Sequence, residues 1–313
     1  MNGFEIIEQE RNKRLKTFRI LFFIGLGLLL IGAVLLIIYF VNQLDTDTIF
    51  TIGLVFGIPG FVLIILSFSI PGGNYNRFVK DNLEKVVMND VYKSNKYSYI
   101  EHNGISYKEM NYSGVFTHPD EFTTSDTVRS SYKDVEFVLS DYIFTRITVS
   151  SDSKGNRTEH RYPYPGRFMS FNLERDFGFG LSIIDKRNNV DVFHTKLYKI
   201  PVEFESIDFN KRYYITTSSK EKTFYIIRPK EIMDLIDFSD KYKGHLVNVV
   251  VNNKVYFFLS DVSIEFHYSI FKKLDEGIVN DIKAYYEIPL RIIDKFNLAK
   301  QKFNDANIDQ NDL

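Results

Sequence analysis

The chain has 313 residues, 44% of them hydrophobic, enough apolar material for one sizeable core or for a smaller core beside a membrane anchor. Its formal net charge of -1 excludes the strongly basic balance of a dedicated nucleic-acid binder, so no nucleic acid is expected as a partner and any basic patch is local. With no cysteines, a disulfide framework, thiolate-held zinc or iron–sulfur clusters and a thiol nucleophile are all excluded.

Residues 1–19 form a mixed-charge segment of helix-forming composition, expected on the cytoplasmic side. Residues 20–41 then pass without a charge, and 22 residues of helix reach about 33 Å, enough to cross a bilayer. After the polar NQLDTDT of residues 42–48, a second uncharged run covers 49–70, so 20–70 reads as a transmembrane hairpin. Within the second run only Thr51, Ser67 and Ser69 are polar, and their hydroxyls can bond back to helix carbonyls. Pro59 beside Gly60 predicts a kink, and the PGG of 71–73 a stop. Both runs are apolar on every side, unlike the one-striped helix of a soluble core. The first run exceeds the length of a signal-peptide apolar region and no small-residue cleavage pattern follows it.

Arg11, Lys13, Arg14, Lys16 and Arg19 precede the hairpin, and Arg77, Lys80 and Lys85 follow it, whereas the 42–48 turn has no basic residue. Lysine and arginine beside a span tend to stay in the cytoplasm, so both termini are expected there, the protein being multi-pass in the inner membrane with only the turn outside. Gly53 and Gly57 form a GxxxG with Gly25 and Gly32 as possible counterparts, serving either packing within the hairpin or self-association. The spans hold no ionisable residue, which suits an anchor better than an ion-coupled transporter.

Residues 71–300 read as a cytoplasmic α+β domain with an antiparallel β-sheet and flanking helices. Residues 77–91 put Phe78, Leu83, Val86, Val87 and Met88 at helical spacing. From about 126 to 261 the chain reads mainly as strands, at 133–150, 167–175, 180–186, 212–218 and 223–229. A hairpin is expected at 246–261, turning at Asn252 and Asn253. Short connections favour antiparallel pairing. A polar loop is expected at 150–166, a helix from Pro229 to a stop at Gly244, helix with a break at Pro289 over 274–304, and a flexible tail at 301–313.

Six scattered histidines show no metal-ligand spacing, and Glu265 with His267 reads as a surface or structural pair before an acid–base couple. The FGFG at 177–180 lacks the rest of a dinucleotide fingerprint, and phosphate-loop and nucleophile-elbow motifs are missing. No enzyme and no cofactor are therefore expected. One basic stretch could bind something: Lys211, Arg212, Lys220, Lys222, Arg228 and Lys230 against the single acid Glu221, on an expected 211–230 hairpin with Lys220 and Lys222 at its tip. Near an anionic leaflet each such residue contributes about 1 kcal/mol; otherwise these are ordinary solvated turn lysines. The bias toward Ile, Lys and Asn without Trp suggests an AT-rich bacterial genome.

The SGVF of 113–116 and the block at 202–236 carry a resemblance. There Glu205, Asp208, Phe209, Lys211 and Tyr213, then Ile227, Pro229 and Met233, are similar to the motif of a bacterial family, the domain of unknown function three-one-three-seven. The resemblance implies an N-terminal membrane hairpin joined to a cytosolic domain, implies no activity, and suggests as partner a membrane-anchored helical protein of the LemA type. Together these readings point to a membrane-anchored, non-enzymatic domain that docks another membrane protein, or alternatively to an anionic-lipid or small-ligand binding domain using the 211–230 stretch.

Overall fold

The computed structural model describes residues 3–300 apart from 43–46, 94, 152–154, 156, 175, 189–191, 243, 263–265 and 267. The centre of the 42–48 turn, the Glu265 and His267 pair and the 301–313 tail lie outside the described residues. The N-terminal helices are α1 (Gly3–Asn42), α2 (Asp47–Gly72), α3 (Tyr75–Val79) and, after a π-helical turn at Lys80–Glu84, α4 (Lys85–Tyr92). Next come β1 (Tyr97–His102), α5 (Tyr107–Met110), β2 (Glu121–Tyr132), β3 (Val135–Ser151), β4 (Arg157–Asn172), β5 (Leu181–Asp185) and β6 (Ile200–Pro201). The chain continues with α6 (Ile207–Arg212), β7 (Tyr213–Thr217), α7 (Lys220–Ile226), α8 (Pro229–Tyr242), β8 (His245–Val251) and β9 (Lys254–Ser260). It closes with α9 (Glu276–Tyr286) and α10 (Ile288–Lys295). Two units result, Met1–Val91 with Phe266–Tyr286, and Tyr92–Glu265 with Glu287–Leu313.

In the first unit, α1 and α2 are long and apolar enough to cross a membrane. Their outward side chains, among them Phe23, Phe40, Val41 and Phe61, stand exposed, as helices solvated by acyl chains require. The two backbones meet along glycines: a β-carbon on Gly32 would lie 2.6 Å from the Gly57 nitrogen, and one on Gly60 2.5 Å from the Leu29 nitrogen. The GxxxG spacing is thus used for packing within the hairpin. Ser67 and Ser69 donate back to the Ile64 and Ile65 carbonyls at 2.6 and 3.3 Å, and α2 stays helical through Pro59 to end at Gly72.

At the foot of this hairpin the chain returns from far away in sequence. Arg14 Nη1 donates to the Pro71 and Gly73 carbonyls (3.1 and 2.6 Å), capping the end of α2 with a cation where the helix dipole favours one. Arg11 donates to the Ile270 carbonyl at 3.2 Å, and the Phe271 ring meets Phe18 edge-on at 4.8 Å. Glu84, buried in the π-helical turn, accepts from the Tyr268 and Tyr286 hydroxyls at 2.7 and 3.3 Å. Residues 266–286 are thereby fastened to the first unit by side-chain groups that no local pattern pairs.

The second unit is a nine-stranded antiparallel sheet in the order β1-β2-β3-β4-β9-β8-β5-β7-β6. The sheet begins at Tyr97, well before the strand region read from the sequence, because β1 is only six residues long and β2 is rich in Ser and Thr and shifts register against β3 between Ser125 and Val128. Asp126, at φ 51°, marks that shift, and Tyr99 donates its hydroxyl to its carboxylate. Between β2 and β3, Lys133 and Asp134 both take positive φ (51° and 65°), the geometry of a two-residue hairpin turn. The β8–β9 hairpin turns at Asn252 and Asn253 as expected, with Val251 opposite Lys254. One sheet face carries an aromatic core including Phe116, Tyr142, Phe144, Phe168, Phe193 and Phe258. On the other face Phe257 meets Phe238 of α8 at 5.6 Å and Phe296, just after α10, at 5.2 Å.

Candidate functional site

The 211–230 stretch is not a hairpin. Tyr213–Thr217 is a strand, but Lys220–Ile226 is helix, so the strand expected at 223–229 does not form. Ser219 caps α7 by accepting from the Lys222 N–H at 3.4 Å, and Thr223 of the helix and Ile227 at its C-cap, four apart, are both buried. Pro229 then opens α8. Capping and helical spacing outweigh the β-branched, aromatic composition on which the strand reading rests.

This refolding scatters the basic residues. Lys211 is exposed on α6, and Arg212 is taken into an ion-pair network: its Nε lies 3.4 Å from buried Asp185, its Nη1 2.7 Å from Asp240, and its Nη2 donates to Ser239 at 2.7 Å. Burial pushes the Asp185 carboxyl up, but hydrogen bonds and charge from Arg187, with a further bond from Arg212, outweigh it and hold the carboxyl below its ordinary value. Lys220 and Lys222 sit in the first turn of α7, exposed, Lys222 donating to the Gly178 carbonyl at 3.1 Å. Arg228, in the link from α7 to α8, pairs with Glu231 at 3.2 Å. Lys220, Lys222 and Arg228 thus remain around α7, while Arg212 is held as a structural cation.

The structure brings out two further features. The first is an arm. Pairing of β2 with β3 stops at Thr145 and that of β9 with β4 at Gly166, while β3 and β4 continue together for six more pairs, Arg146↔Tyr162 to Ser151↔Arg157. At 3.3–3.4 Å per residue this two-stranded ribbon extends about 20 Å. The polar loop expected at 150–166 is therefore strand for most of its described length. Pro163 and Pro165 account for its emergence. A strand residue sends its N–H and C=O to the same edge, and the Pro165 carbonyl accepts from the Asp261 N–H at 3.0 Å on the β9 side. The donors that both prolines lack are missing from that edge, so β9 cannot follow β4 further. At its base the arm is held by the Asp120 carboxylate accepting from the Ile147 N–H (2.8 Å) and by Arg161 paired with Glu121 (2.8 Å). Val149 and Tyr162 are exposed upon it.

The second feature is a cavity of about 660 Å³ among α7, the start of α8, β8, β9 and residues 296–298. Phe177, Leu235, Val250, Val255, Phe257 and Phe296 line it, with Phe224, Tyr225 and Arg228 toward its mouth. Asn248 also borders it, a buried amide that donates to the Tyr256 carbonyl at 3.0 Å. The available signal was that one polar side chain within LVNVVV. Among the described residues no group of three or more His, Asp or Glu is placed to hold a metal ion.

Fold and surfaces together define a class: an antiparallel α+β domain on a chain with two helices fit to cross a membrane. More particularly, residues 164–298 match the family described as Protein of unknown function (DUF3137), the family that the 202–236 block resembles. Within that block the motif residues Phe209 and Tyr213 are buried around the α6–β7 junction and Pro229 is the first residue of α8, so the pattern records a turn geometry. Neither the curated proteins nor the solved structures contain a match to this chain.

Proposed function

We propose that this chain is a membrane-anchored, non-enzymatic interaction protein, and that the β3–β4 arm docks an acidic segment of a second protein. The arm is the observation that carries the reading. A two-stranded ribbon with both faces in water is marginally stable by itself, and this one contributes nothing to the sheet core, so covering it is the gain that would justify its length. Its described strands hold Arg146, Arg157 and Arg161 against Glu159, with Glu121 pairing Arg161 at the base, a balance of three cations to two acids that favours an acidic occupant. Exposed Val149 and Tyr162 supply apolar anchors. The basic residues on both sides of the hairpin favour cytoplasmic termini in an inner membrane, hence a partner found at or in that membrane. A small helical protein of the LemA type is the partner suggested by the family resemblance.

A photo-crosslinking side chain at Val149, activated in intact membranes, tests this. The expected result is an adduct whose mapped peptide is rich in Asp and Glu, and whose yield falls at least fivefold with Arg157→Glu. No adduct at Val149, or a yield unchanged by charge reversal, would overturn it.

A further inference from the structure

We infer that the 660 Å³ cavity of the second unit receives the acyl chain of a single-chain anionic amphiphile, whose head group pairs with Arg228. The volume lies in the range of roughly 300–1,000 Å³ in which small-molecule sites fall, and the walls are mainly aromatic and aliphatic, with Arg228, Glu231, Asn248 and Asn297 as their polar residues. Asn248 is turned to its own hairpin, giving its amide to Tyr256, so the interior calls for apolar matter. The mouth is different. Arg228 stands there with its side chain 70% exposed, while its partner Glu231 is only 14% exposed and stays against the wall. Arg228 and Glu231 are the charged residues of the lining, and Lys222, which donates to the Gly178 carbonyl next to the lining residue Phe177, adds a further cation close by. Half-exposed Phe224 and exposed Tyr225 flank the same opening, where the boundary between chain and head group would fall. A fatty acid and a lysophospholipid share this chemistry, one free and the other drawn from a bilayer.

The chain contains no tryptophan, so Phe296→Trp puts a single fluorophore in the cavity wall and Ile100→Trp a control on β1. With the full-length protein in lipid nanodiscs, chain-brominated fatty acid and chain-brominated lysophospholipid serve as contact quenchers. Saturable quenching of Phe296→Trp by either probe, with none at Ile100→Trp, is expected; the probe that saturates identifies the source. Arg228→Glu, at a position whose side chain is 70% exposed, should raise the half-saturating concentration at least fivefold, and Val250→Phe, which fills the cavity, should abolish quenching. Absence of saturable quenching with both probes, or a half-saturation unmoved by Arg228→Glu, would overturn the inference.

Discussion

Asp185 combines complete burial with an ordinary-looking place in the sequence, at the end of β5, and its two cationic partners come from a turn and from the end of α6. Removing the carboxylate leaves Arg187 and Arg212 without their shared anion, so Asp185→Ala should lower stability by about 2–3 kcal/mol, below the full cost of breaking a buried pair because both guanidinium groups reach solvent. The pH dependence follows from the sign of the shift. A carboxyl held below its unfolded value binds its proton less readily in the folded state, so its stabilisation is complete above the ordinary aspartate range near pH 4 and is lost as pH falls through the depressed value. Denaturant titrations of the parent chain should therefore show stability declining below about pH 4, with a shallower decline for Asp185→Ala. Equal slopes would mean that the network contributes nothing.

Among the elements, the hairpin was the most legible and the reason is physical: a helix apolar on all sides has only one solvent available to it. Its internal packing was less legible, since the spacing of Gly53 and Gly57 favours packing within the hairpin but also suits a second copy; the facing positions of Gly25 and Gly32 decide it. Gly32→Leu places side-chain atoms into the Gly53 and Gly57 backbone, which cannot give way without the helices parting. Since the chain has no native cysteine, Tyr39→Cys with Phe50→Cys, whose rings meet at 5.4 Å across the hairpin away from the glycines, makes a specific cysteine-crosslinking reporter, and its yield in membranes should drop severalfold when Gly32→Leu is added. An undiminished yield would contradict the glycine seam. The candidate site was less legible. Residues 223–226 carry strand-like composition but belong to a helix capped by Ser219, and residues 157–163 have the polarity of a loop but pair with β3 along their whole length. Both errors have one origin: composition reports burial, and neither a short exposed arm nor a half-exposed helix buries enough to leave its period in the sequence.

For the whole molecule, the least legible fact is the return of residues 266–286 to the unit of the hairpin, built from contacts such as Tyr268 to Glu84 that lie 184 positions apart. The proposed orientation has a direct check: a reporter active only outside the cytoplasm should be silent when fused at the C-terminus and active within 42–48, and the reverse pattern would place the second unit outside. The central claim, that the arm is what this protein presents to its partner, is tested most directly by removing it. Residues 147–161 replaced by Asn-Gly join Arg146 to Tyr162, whose N–H faces β3, through a two-residue turn, leaving every pairing of β2 and β9 in place. Solubilised gently and sized beside the parent chain, the arm-excised protein should migrate as a smaller, partner-free species with unchanged thermal stability of the sheet. Migration identical to the parent chain, with the same protein still associated, would contradict the account.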